Sequence, residues 1–143
     1  MKKIILLFSL LTLSTGYVSA NPTETEAKAF ISEFYKQYVF SGAIEELDAS
    51  RVGTPRFLRK LERAYTAEYD CEKGACYGVW ALRTGAQDGE GISIISTIQP
   101  KSGGWYRVNY RDMGWKGVTD VKVVEVNGVI KLDDYKKIYD NVR

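Results

Sequence analysis

The hydrophobic period changes once along this chain, near Tyr77, and that change limits the fold more than any other feature. Before it, apolar residues recur with helical spacing. Ala27, Phe30, Ile31, Phe34, Tyr35, Tyr38 and Val39 form one stripe, with Lys28, Glu33, Lys36 and Gln37 off it. Thr23 with Glu26 three residues on is a capping box that starts this helix, and Gly42 is its stop signal. Thr54-Pro55 opens a second helix, a cap residue followed by proline at the first helical position. Its stripe is Phe57, Leu58, Leu61, Ala64, Tyr65 and Tyr69. Residues 43–53 connect the two helices, with a short helical turn expected at 44–47.

Beyond Tyr77 the period is two, which predicts strands at 77–84, 92–99, 105–111, 118–126 and 129–135. Asn127-Gly128 between two β-branched runs is a hairpin signal. A two-residue turn there sets Val123 opposite Leu132 on the core face and Lys122 opposite Asp133 on the solvent face. It also sets Glu125 opposite Ile130, either past the covered edge of the core or inside a cavity. Helices followed by an antiparallel run, with no strand–helix–strand alternation, give an α+β fold. The expected architecture is N-terminal helices packed on a curved antiparallel sheet of four to six strands.

The first twenty residues stand apart. Lys2-Lys3, an apolar run of about ten residues and Val18-Ser19-Ala20 read as a secretory signal peptide cleaved between Ala20 and Asn21. The run is short against the roughly 20 residues that span a bilayer. Residues 21–143 then form a single exported domain, periplasmic or secreted, with no membrane insertion expected after cleavage. The full chain holds 20 basic and 18 acidic residues; losing Lys2 and Lys3 leaves 18 of each. A nucleic-acid binder ordinarily carries a basic surplus, so no nucleic-acid partner is expected. Histidine is absent from the whole sequence. That removes nucleophile schemes with an imidazole base and the commonest zinc ligand. Any acid–base chemistry falls to Asp, Glu, Tyr or Lys, and neither a cofactor nor a metal is implied.

The long first helix, the ending VKVVEVNGVIKLDDY, and the stretches YDCEKGACY, RTGAQDG and YRDMGWKGV together resemble the nuclear-transport-factor-2-like (cystatin-like) superfamily. Within it they look like a branch of secreted bacterial proteins built on a domain of unknown function. The resemblance extends over roughly residues 25–139. It implies a cone, with the sheet curled around the helices and a cavity at the open end. It also implies ligand binding in many members, isomerisation or dehydration in some, and homodimers through the outer sheet face. The enzymes of the superfamily place Asp, His or Tyr in the cavity. This chain departs from that pattern by lacking His.

Four residues separate Cys71 from Cys76, which is not redox spacing, and in an exported protein they form a structural disulfide. Gly74 eases the turn between them. Arg83, Gln87 and Asp88 form either a strand end with Asp88-Gly89 turn chemistry or a polar cavity mouth. Tyr110, Arg111, Asp112, Trp115 and Lys116 form the densest chemical cluster, with Gly114 and Gly117 marking a bulge or tight bend. Arg111 and Asp112 pair there, or Trp115 and its neighbours form a recognition surface. Asp70, Asp88 and Asp112 are carboxylates whose spacing demands no catalytic pair.

The leading expectation is a non-catalytic binding module for a small molecule or peptide, its pocket lined by Trp80, Arg83, Gln87, Asp88, Tyr110, Asp112, Trp115 and Lys116. The alternative is a protein-interaction module, an inhibitor or immunity-like partner of an exported enzyme, docking through residues 111–116. A lyase or isomerase using Asp and Tyr stands third.

Overall fold

A computed structural model describes residues 21–42, 48–84 and 89–140. The expected signal segment, the turn expected at 44–47, and Gln87 and Asp88 lie outside the described residues. Helix α1 spans Glu24–Phe34 and starts as the sequence predicts. Thr23 Oγ1 accepts from Glu26 N at 3.3 Å and Glu26 Oε2 accepts from Thr23 N at 3.0 Å. Thr23 Oγ1 also donates to Glu26 Oε2 at 2.7 Å, and this bond, then that from Thr23 N, holds the exposed Glu26 carboxyl below its ordinary value. The expected single helix ends differently, in a π turn over Tyr35–Val39 closed by Phe40 N donating to Tyr35 O at 2.8 Å. The wider turn keeps Tyr35 and Val39 both buried, and Gly42 follows with φ 68°. Helix α2 (Ala49–Val52) is short, and α3 (Pro55–Thr66) opens on the predicted Thr54 cap.

The sheet is an antiparallel meander, β1 (Ile94–Pro100), β2 (Trp105–Asp112), β3 (Trp115–Val126) and β4 (Val129–Asp140), in the order β1-β2-β3-β4. The protein is thus α+β with a four-stranded open sheet. Asn127 and Gly128 have φ 52° and 76°, the left-handed pair that a two-residue hairpin turn requires. Val123 pairs with Leu132 and Glu125 with Ile130, as expected. Lys122, however, pairs with Asp134: Asp133 is an extra residue, and a second irregularity lies opposite Val118 and Thr119. Bulges bend a strand and raise its twist, and simple alternation cannot reveal them. Ser96 is a further extra residue, between Ile95 and Thr97 of β1.

The strand expected at 77–84 is instead a 3-10 turn over Val79–Leu82. Gly78 explains the difference. Its N donates to Leu61 O at 2.9 Å, and a Cβ on it would lie 2.9 Å from Tyr65 N, so the chain is pressed against α3 rather than into the sheet. Val79 and Leu82, three apart, both turn inward. The Gly114 to Gly117 bend is likewise not a bulge but a second tight hairpin turn at Met113 and Gly114, φ 51° and 88°.

Helix α1 lies over the inner face of the sheet. Tyr35 meets Tyr110 of β2 with ring centroids 5.6 Å apart, and Phe34 meets Phe57 of α3 at 6.2 Å. Phe57 in turn meets Tyr135 of β4 at 6.0 Å. Val108, Val121, Val123 and Leu132 complete the buried floor. Full burial of such side chains contributes about 1.5–3 kcal/mol each. The buried Tyr35 hydroxyl donates to Leu82 O at 3.0 Å; desolvation pushes its pKa well up, so it stays a neutral donor. Cys71 and Cys76 form the expected disulfide, Cα atoms 5.8 Å apart, in the loop between α3 and the 3-10 turn. This bond is compatible with an oxidising, exported setting.

Candidate functional site

The structure brings some of the residues singled out in the sequence together and keeps others apart. Arg83 and Asp112, 29 positions apart, meet. Arg83 Nε donates to Asp112 Oδ2 at 2.8 Å and Nη2 to Oδ1 at 2.5 Å, while Nη1 reaches Val39 O at 3.2 Å. Asp112 is fully buried and also accepts from Thr84 Oγ1 at 2.9 Å and Ser93 Oγ at 3.2 Å. Ser93 Oγ accepts in turn from Met113 N at 3.0 Å. This is a lock joining the π turn, the 3-10 turn, the start of β1 and the end of β2. Asp112 therefore pairs with Arg83, not with its neighbour Arg111, and its oxygens are spoken for. Exposed Asp70 shares nothing with it.

Tyr110 is a core residue whose hydroxyl shares a 3.0 Å hydrogen bond with Thr119 Oγ1. Trp80 packs on Tyr65 and Tyr69, ring centroids 5.3 and 5.6 Å away. Trp115 is half-buried beside Gly89, where an added Cβ would lie 2.8 Å from its Cδ1. Lys116 is exposed and stands directly across from Arg111. Glu125 is half-buried near the hairpin end.

The buried carboxylates of the sheet are held by cations. Bonds from Arg107, then from Lys101, bring Asp120 below the usual carboxylate range against the opposing effect of burial. Burial is the largest single effect on Asp134 and acts upward. Bonds from Lys60 and Tyr135 N, with the charges of Lys60 and Arg56, nevertheless bring it below its ordinary value. Among the described residues no group of three or more Asp, Glu or Cys is placed to hold a metal ion.

A groove of about 840 Å³ lies elsewhere, between α1, α2 and the tip of the β3–β4 hairpin. One wall is an aromatic ladder: Phe30 and Phe34 are 6.4 Å apart, Phe34 and Tyr38 5.3 Å. The other wall is Val52, Val129 and Ile130. Glu33, Gln37, Asp48 and Arg51 form the rim, where Gln37 Nε2 donates to Glu33 Oε1 at 2.5 Å. The second wall is pinned to β4. Lys131 Nζ donates to Ser50 O at 2.6 Å, Thr54 N to Leu132 O at 2.9 Å, and Thr54 Oγ1 to Asp133 Oδ1 at 2.9 Å. An apolar cleft with a few polar groups at its mouth is what small-molecule sites are made of. In the sequence Phe30 and Tyr38 lie on the apolar stripe of the first helix, and no spacing there marks a pocket wall. Among the described residues, no helix is long and apolar enough to cross a membrane.

Comparison with family models, curated proteins and solved structures found no match, so the site is read from its own geometry.

Proposed function

We propose that this chain is an exported, non-catalytic binding module, a cone of the nuclear-transport-factor-2-like kind, that holds an apolar or aromatic ligand in the groove between α1 and the β3–β4 hairpin. The observation that carries the reading is the Phe30–Phe34–Tyr38 ladder facing Val52 and Ile130 across an open volume of about 840 Å³. Ligand affinity comes from apolar burial, and Arg51, the one cation among the described rim residues, orients a polar or anionic end. A π turn borders this wall, a feature frequent at functional sites. A lyase or isomerase draws no support here. It needs a carboxyl raised toward neutrality in an apolar pocket, whereas Asp120 and Asp134 are lowered and the rim carboxylates Glu33 and Asp48 are exposed.

The test is fluorescence titration with 1-anilinonaphthalene-8-sulfonate, an aromatic anion of suitable size. Saturable binding that Phe30→Asp abolishes and Arg51→Gln weakens is expected. Equal binding by Phe30→Asp and wild-type protein, with both shown folded, overturns the groove.

A further inference from the structure

Strand register maps the outer face of the sheet row by row. One row is Trp105, Lys122 and Asp134; the next is Gln99, Arg107, Asp120 and Lys136. In these rows each carboxylate is held by two cations. Asp120 takes Arg107 at 2.9 Å and Lys101 at 2.7 Å, Asp134 takes Arg56 and Lys60, and Lys136 lies over the Trp105 ring at 4.7 Å. Two further rows, toward the β2–β3 turn, hold no carboxylate. Thr97, Asn109, Val118 and Tyr139 form one, Ile94, Arg111 and Lys116 the other. Arg111 and Lys116 are directly opposed like charges, an arrangement that destabilises a sheet.

No carboxylate among the described residues forms an ion pair with either cation. Arg111 only reaches Gly114 O, at 3.2 Å. Ile94, 49% exposed, lies beside Arg111 in the same row, and Tyr139, 46% exposed, lines with Arg111, Lys116 and Val118 a hollow of about 220 Å³.

We infer that this half of the outer sheet face docks an acidic protein segment, one whose carboxylates meet Arg111 and Lys116 while its apolar side chains cover Ile94, Val118 and Tyr139. Charge complementarity selects that occupant. A second copy laid face to face across a twofold axis brings the same unneutralised cations together, which repel. A nucleic-acid backbone calls for a longer basic stripe than two cations, and of the neighbouring cations Arg107 is held by Asp120 and Lys122 lies 3.7 Å from Asp133. The surface is distinct from the groove and draws on neither its residues nor its ligand.

The experiment is fluorescence anisotropy with a labelled peptide alternating Glu and Leu, at about 20 mM and about 200 mM salt. Exposed partners make the expected loss about tenfold or more for the Arg111→Gln/Lys116→Gln protein, with binding also weakened by salt. Tyr139→Ser weakens binding at both salt concentrations. Arg63→Gln, an exposed cation on α3, and Phe30→Asp in the groove leave it unchanged, which keeps this result separate from the fate of the groove. Thermal melts of each variant confirm folding. Failure of the peptide to bind, equal binding of a Lys–Leu counterpart, or oligothymidine binding as tight as the peptide overturns the inference. So does a wild-type dimer that the double substitution dissociates.

Discussion

Removing the Arg83 side chain distinguishes a structural lock from a poised binding group. Arg83→Ala deletes two charge-assisted bonds of 2.8 and 2.5 Å and a third to Val39 O at 3.2 Å. Asp112 stays behind fully buried, its charge held only by the hydroxyls of Thr84 and Ser93. Breaking a buried pair from one side destabilises by about 3–5 kcal/mol. The Arg83 side chain is 19% exposed, and two hydroxyls still serve Asp112. Both place the loss near the lower end, about 3 kcal/mol. At about 4 °C per kcal/mol for a domain of this size, the melting temperature falls by about 12 °C. The assay is thermal and urea denaturation followed by circular dichroism for wild type, Arg83→Ala, and Arg83→Met combined with Asp112→Leu. The double variant recovers part of the loss because no charge is left unpaired in the interior. An Arg83→Ala protein as stable as wild type would refute the reasoning, since a pair held for the fold cannot be removed without effect.

Replacing both Cys71 and Cys76 with Ser lowers stability by about 2 kcal/mol, the chain-entropy value for so short a loop, and melts with and without reductant on the wild type give the same difference. Gly117→Ala places a Cβ 2.4 Å from the Tyr110 ring, so overpacking of about 1–3 kcal/mol is expected; an unchanged urea midpoint counts against the close approach. Asp120 and Asp134 are both shifted down in the folded protein, so the stability they contribute is complete above the ordinary value of 3.8 and is lost as pH falls through the folded values. Urea midpoints from about pH 6 down to about pH 2 fall along that limb, and Asp134→Asn makes the fall shallower while lowering the midpoint at neutral pH.

What the sequence disclosed was chemistry confined to a few neighbouring residues. The Thr23–Glu26 box, Thr54-Pro55 and the Asn127-Gly128 turn each carry their own geometry, and the Val123–Leu132 pairing follows from the last by counting. The 79–82 segment was misread because valine, tryptophan, alanine and leucine suit alternation and a three-residue period alike; contact with α3 at Gly78 decided between them. The extra residue at Asp133 shifted Lys122 onto Asp134, a change no local pattern announces. Arg83 and Asp112 were both noted, but a bond across 29 positions is a property of the packed chain. The groove was hidden for a related reason: a helical stripe shows which residues are apolar, not which end of the stripe a neighbour leaves uncovered.

The extra residue Ser96 bears on solubility. Residues 92–99 carry no charge, and among the described residues only β2 pairs with β1. A straight, neutral, apolar edge is a template on which further chains add strand by strand. Here the Ser96 kink breaks that edge into two short runs, and Pro100 withholds an amide at its end. The edge is thus bent and closed by proline rather than charged, a device against strand-by-strand addition that rests on Ser96 and Pro100.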